Sequence, residues 1–170
     1  LRYLQEARVD MLFVHAAKHG AEDLAAGVVV SRHELTYLAP LRFRPSPVRV
    51  ETWVRDVRAA SFTLGYEIVD VDPITGERTV YVVATSTLVP YDLGSGRPRR
   101  VRDAERAVLE TYLEPDGPTP RGATHTTDPA VSRVGDGEPH KLHYPCDVRF
   151  DDLDSYGHVN NVTFAEYLQE

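Results

Sequence analysis

The sequence has one cysteine, Cys146, so no disulfide can form within the chain. A lone thiol fits a reducing compartment, and a cytoplasmic location is the expectation. Lysine is nearly absent: of 19 basic residues only Lys18 and Lys141 are lysines, and the others are arginines. Positive charge is also in the minority, with 26 acidic side chains and a formal net charge of −7. Nucleic acid is therefore not an expected partner, because its recognition calls for a basic face. No apolar run approaches the roughly 20 residues that a membrane-spanning helix needs, so no membrane partner is expected either. What is present is a chain of 170 residues, 42% apolar, enough to build the core of one ordinary domain.

Periodicity divides the chain. Leu1, Leu4, Ala7, Met11 and Val14 recur at three- and four-residue steps, which predicts a helix over residues 1–19 with Gly20 as its C-cap. Four strands are expected over residues 27–38, 47–58, 61–71 and 79–91, where β-branched and aromatic residues dominate. In the second, Val48, Val50, Thr52 and Val54 alternate with Arg49, Glu51, Trp53 and Arg55. Asp72-Pro73-Ile74-Thr75-Gly76 reads as a turn. Short connections predict antiparallel neighbours, so the fold class from pattern alone is α+β. A second helix is expected over residues 103–113, with Asp103 as N-cap. Residues 114–139 hold five prolines and four glycines without periodicity and read as linker. Residues 141–150 return to strand, interrupted by Pro145.

The richest chemistry lies after that strand. Arg149-Phe150-Asp151-Asp152-Leu153-Asp154-Ser155-Tyr156-Gly157-His158-Val159-Asn160-Asn161 runs from a strand through an acidic loop to the start of a helix. Asp, Asn and Gly are ordinary turn and cap residues, so a bare D-x-D-x-x-G would mean little. A calcium loop beginning at Asp152 would put Tyr156 at the fifth position and Thr163 at the twelfth, where oxygen donors and a bidentate glutamate are required, and it is rejected. His140, His143 and Cys146 do not make a metal site, because a spacing of three puts neighbours on opposite faces of a strand.

The whole stretch resembles the active-site segment of hotdog-fold thioesterases, the group of the 4-hydroxybenzoyl-CoA and acyl-ACP thioesterases. The pattern there is R-F-x-D-x-D-x-x-G-H-V-N-N followed by an aromatic-rich helix with a glutamate, and each fixed position is met over residues 149–161. The resemblance implies a hotdog fold, a long central helix wrapped by a curled antiparallel sheet. It implies hydrolysis of an acyl-CoA or acyl-ACP thioester, with Asp154 as base or nucleophile and coenzyme A as part of the substrate rather than a cofactor. His158 and Asn160 match positions that are functional in the acyl-ACP branch. The backbone N–H groups near Asn160 and Asn161 would polarise the thioester carbonyl, as unpaired donors at a helix start can. Tyr156 and Gly157 would line the substrate. Glu6 and Glu170 match the family's helix glutamate and would position water; on pattern alone, Glu6 also reads as a solvent-facing helix charge. Phe164 stands where the family often has tyrosine.

Arg58, close to a tight turn, is a candidate for meeting the nucleotide phosphates of coenzyme A, and the cluster Arg97, Arg99, Arg100 and Arg102 could do the same; Ser61, at that turn, could face the substrate, with an ordinary strand position as its plainer account. A solvated linker is the plainer account of that cluster. His33 could face a site, with an ordinary strand position as the plainer account. Tyr3-Leu4-Gln5-Glu6 recurs as Tyr167-Leu168-Gln169-Glu170, which predicts a piece of a tandem double-hotdog chain. Its parts would be residues 1–93, a unit lacking its first strand and loop; 94–140, a linker with a short helix; and 141–170, the start of a second unit or the completing piece of a permuted one. Homo-oligomerisation through hotdog pairing is expected. Two other classes fit less well: a non-catalytic acyl-CoA-binding module, and a hotdog hydratase, whose D-x-N-P-x-H pattern is not met.

Overall fold

A helix laid across an antiparallel sheet accounts for the N-terminal part of the chain. The computed structural model describes residues 1–43, 45–120, 150–153 and 159–167, in two compact units, Leu1–Arg121 and Gly122–Glu170. In the first unit, α1 (Arg2–Val9) runs on without a break into a π-helical segment, Asp10–Ala16. Wider winding there moves the apolar stripe. Leu4, Met11, Leu12 and Ala16 are buried, whereas Val14, expected on the buried face, is half-exposed. Gly20, in the left-handed region at φ 96°, ends the helix as expected. A short helix α2 (Glu22–Ala26) follows.

The strands are β1 (Val28–Tyr37), β2 (Arg49–Val57), β3 (Phe62–Val71) and β4 (Arg78–Asp92), each within two residues of its expected bounds. They are antiparallel in the order β1-β4-β3-β2, and a two-residue strand β5 (Arg97–Pro98) pairs with the end of β4. β2–β3 and β3–β4 are the hairpins that short connections predict. β1 and β2 are not neighbours: they occupy opposite ends of the order, because residues 38–48 are long enough to cross from one side to the other. In the β3–β4 turn, Asp72 accepts the N–H groups of Ile74 and Thr75 at 2.8 Å each, and Gly76 takes φ 72°.

The core lies between the helix and one face of the sheet. Leu4, Met11, Leu12 and Ala16 pack there with Val54, Phe62, Leu64, Tyr66, Ile68, Val82, Ala84 and Leu88. Helix α3 (Asp103–Glu110) adds Val108 and Leu109, so the segment expected as the start of a linker is part of the first unit. Its cap differs from the expected Asp103, which is the first helical residue. Glu105 accepts the N–H of Arg102 at 2.8 Å, and both oxygens of Glu105 take a bidentate pair from Arg99. Beyond α3 the chain returns to β2. Val54 donates to the Tyr112 carbonyl and accepts from Glu114, and Arg55 donates to the carbonyls of Gly117 and Pro118 at 2.8 and 2.7 Å.

Candidate functional site

In the second unit, Phe150–Asp152 forms one 3₁₀ turn, and Leu153 bridges Val159 in antiparallel sense. Between these two residues lies the five-residue segment 154–158. Asp154, Tyr156, Gly157 and His158 all fall in this segment, outside the described residues; Glu170 and residues 141–149 of the expected strand also lie outside them. What is described is the exit of the loop into helix α4 (Asn161–Tyr167). The Asn160 N–H donates to the Asp152 carbonyl at 2.8 Å. The Asn160 side-chain oxygen accepts the N–H of Val162 at 2.9 Å, so Asn160 is the N-cap of α4. Its side-chain oxygen and its backbone N–H are thus both engaged in shaping the loop. Asn161 supplies the first helical N–H, the donor of the expected pair that neither bond uses.

The candidates in the first unit are spread apart. Glu6 is exposed on α1 and lines an open cleft of about 870 Å³ between the helix and the loop that joins β1 to β2. Arg58 sits in the β2–β3 turn, where it pairs with Asp56 at 2.9 Å and donates its N–H to the Ser61 carbonyl at 2.8 Å. Ser61 therefore contributes its backbone to the turn. Of the arginine cluster, Arg97, Arg100 and Arg102 are exposed and Arg99 is partly buried; Arg99 is bound by the buried Glu105, and Arg102 pairs with Asp23. The expected solvated linker gains structure here: the Arg99 and Arg102 guanidiniums bind Asp23 of α2, the Arg99 guanidinium also binds Glu105 of α3, and the Arg99 backbone N–H donates to the Pro90 carbonyl of β4.

A buried polar group that no motif marks lies on the core face of the sheet. His33 Nδ1 shares a hydrogen bond of 2.8 Å with the hydroxyl of the fully buried Ser86, its cross-strand partner. The fully buried Tyr66 holds its hydroxyl near Ser86 and Arg8, in hydrogen-bonding geometry with neither. Burial, reinforced by the nearby Arg8 guanidinium, lowers the His33 pKa to about 4, so the imidazole is neutral at pH 7. Burial raises the Tyr66 pKa above its ordinary value. The signal in the sequence was a histidine and a serine in facing strands, which is visible only once β1 is known to pair with β4.

A second cavity of about 630 Å³ adjoins the cleft and shares Tyr3 and Leu41 with it. Its described walls, which include Leu4, Leu35, Ile68 and Val82, carry no charged side chain. Among the described residues no group of three or more His, Cys, Asp or Glu side chains could hold a metal ion. Among them, too, no helix is long and apolar enough to cross a membrane.

A family model described as the thioesterase-like superfamily matches residues 1–109. Among solved structures, the chain is similar to a predicted thioesterase from Bacillus stearothermophilus, with 18% identity, a TM-score of 0.53, and coverage of 66% of this chain and 78% of that one. It is similar to YbaW, a probable thioesterase from Escherichia coli, at 21% identity and TM-score 0.52, covering 66% and 81% of the two chains. A mutant 4-hydroxybenzoyl-CoA thioesterase complexed with 4-hydroxybenzoyl-CoA gives 15% identity and TM-score 0.52, with coverage of 64% and 80%. At these identities the likeness is one of fold. A comparison with curated proteins finds no match.

Proposed function

This chain belongs to the thioesterase-like superfamily, and we propose that it hydrolyses an acyl-CoA thioester, with Asp154 as the carboxylate that drives attack. The family match over residues 1–109 carries the reaction class. The residues that would perform the reaction lie outside that span, in the loop of residues 150–161, whose sequence meets every fixed position of the hotdog thioesterase pattern. The neighbour crystallised with 4-hydroxybenzoyl-CoA supports a coenzyme A thioester as the substrate class over an acyl-ACP.

The chemistry asks for two things. A water must lose a proton as its oxygen bonds to the thioester carbon, and the negative charge that grows on the carbonyl oxygen must be met by donors. Asp154 would take the proton, or attack the carbonyl itself to form an anhydride that water then opens. Either route ends in a carboxylic acid and a free thiol. The Asn161 N–H, at the start of α4, would donate to the carbonyl oxygen. Asn160 acts as a positioning residue: its bonds to Asp152 and Val162 fix how the acidic loop enters the helix. His158, beside the loop's glycine, would contact the substrate. Glu170, and Glu6 in a matching repeat, would hold water. Pairing of hotdog units, in one tandem chain or between copies, would complete the site.

The test is thiol release from short, long and aromatic acyl-CoAs by the protein and its Asp154→Asn variant. A drop of about 10² or more in the variant is the expected result. Hydrolysis equal in the two proteins would remove Asp154 from the reaction. Binding of acyl-CoA by a folded protein without turnover would replace the hydrolase with an acyl-CoA-binding module.

A further inference from the structure

We propose that Arg8 and Tyr66, backed by Ser86 and His33, select the acyl group of the substrate, and that the group they favour ends in a carboxylate. This rests on the hydrolase reading above and adds to it the chemical class of the acyl part.

The cluster gathers donors without an anion to receive them. Arg8 is half-buried on α1, and among the described residues no carboxylate pairs with it. Arg78, Arg99 and Arg102 in the same unit each meet one. The Tyr66 hydroxyl is buried and lies near Arg8 and Ser86 with a hydrogen bond to neither. Ser86 and His33 satisfy one another at 2.8 Å. A buried hydroxyl left unpaired is costly, and a guanidinium drawn out of water calls for a negative partner. A carboxylate placed between them would accept from Arg8 and Tyr66 together, and charge-assisted bonds are the stronger kind.

The position suits the far end of an acyl chain. Leu4, Leu35 and Ile68 line the cavity of about 630 Å³. Each has a member of the cluster as its next neighbour on the same face: Arg8 lies one helical turn on, His33 two residues back along β1, and Tyr66 two residues back along β3. Thr52, the cross-strand partner of Tyr66, and Ala7, beside Arg8, line the larger cleft that also holds Glu6. Where Glu6 holds the hydrolytic water, the thioester lies in that cleft and its acyl chain runs inward past apolar walls to the unpaired donors. A plain hydrocarbon chain would leave both donors unmet. A trapped water would pair the hydroxyl but leave the guanidinium without a counter-charge, and it would give no preference among acyl groups.

The experiment pairs each dicarboxylic acyl-CoA with the hydrocarbon acyl-CoA of equal length: succinyl with butyryl, adipoyl with hexanoyl, suberoyl with octanoyl. In at least one pair the dicarboxylic member should have the higher kcat/KM by about tenfold or more. Tyr66→Phe and Arg8→Met should each cut that ratio about tenfold, with the hydrocarbon substrates little changed. Urea unfolding of Tyr66→Phe gives a second readout: its midpoint should hold or rise, because the lost hydroxyl had no partner. A clear fall would assign the hydroxyl a bond within the fold and overturn the proposal. A hydrocarbon preference in every pair, or a dicarboxylic preference unmoved by either substitution, also overturns it and leaves the hydrolase intact. If no acyl-CoA is hydrolysed, the hydrolase reading fails and calorimetry with free adipate and suberate decides. Binding that weakens in Arg8→Met keeps the carboxylate site, and no binding by the parent protein sinks it.

Discussion

On the face of the sheet toward the helix, β3 presents Phe62, Leu64, Tyr66 and Ile68, and the partners are apolar side chains of α1 and its π-helical extension. On the opposite face the same strand presents Gly65 and Glu67, and the partners are polar or aromatic. Arg78 meets both Glu51 and Glu67 at 2.5 Å, and Trp53 lies over Gly65 with Gly117 also against its indole. Both faces bury side chains: Tyr66 is 0% exposed and Trp53 8%. The first face is held by apolar area removed from water, which is tolerant of detail. The second is held by one ring fitted against two glycines and by a carboxylate pair that needs a single arginine, which is not.

The largest effect expected is on the helix-facing side. Phe62→Ala removes a fully buried ring from the centre of the core and should cost about 3–5 kcal/mol in urea unfolding, with little change in m. A cost under about 1 kcal/mol would mean that this face is not the main core. Next comes the opposite face. A Cβ at Gly65 would lie 2.4 Å from Trp53 Cε2, so Gly65→Ala must displace the indole and should cost about 2–3 kcal/mol. Trp53 is the only tryptophan, so its emission should shift to the red in the same variant. Unchanged emission and stability would show that the ring is not clamped.

The acid limb of the stability curve tests the polar inclusion on the apolar face. The folded protein holds the His33 pKa near 4, below the ordinary 6.5, so the unfolded chain binds the proton more readily. Stability from a neutral His33 is complete above pH 6.5, declines as pH falls toward 4, and is lost below that. After allowance for partial solvent access the change is roughly 1–2 kcal/mol. His33→Asn should flatten that window, and an identical pH profile in the variant would refute the assignment. The smallest effect belongs to neither face. Gly76 sits at φ 72° with open space where a Cβ would be, so Gly76→Ala should cost only about 1 kcal/mol, from backbone conformation alone. A loss as large as that of Gly65→Ala would mean that the turn has packing partners.

Much of the first unit was legible because its signals are local. Alternation over residues 47–58 and 61–71 placed β2 and β3, and Gly20 marked the end of the helix and Gly76 the β3–β4 turn, for a reason that a φ angle makes explicit. The π-helical winding of Asp10–Ala16 was not legible, and it exchanged Val14 for Leu12 and Ala16 on the buried face. Nor was Arg99: read as one of several solvated arginines, it is held by a buried glutamate six residues on. For the acidic loop, the motif named the residues, and the structure added the cap made by Asn160.

The sequence by itself determined the four long strands of the first unit, their apolar faces and the residue content of the acidic loop, because periodicity, turn chemistry and motif spacing act over a few residues. Tertiary structure decided that β1 joins β4 rather than β2, and with that pairing it brought His33 to Ser86. It also decided which arginines are engaged and that Arg42 and Phe43 stand open at one cleft. Those are contacts between residues far apart in the chain, and their free energy depends on what the fold removes from water, a quantity no local pattern contains.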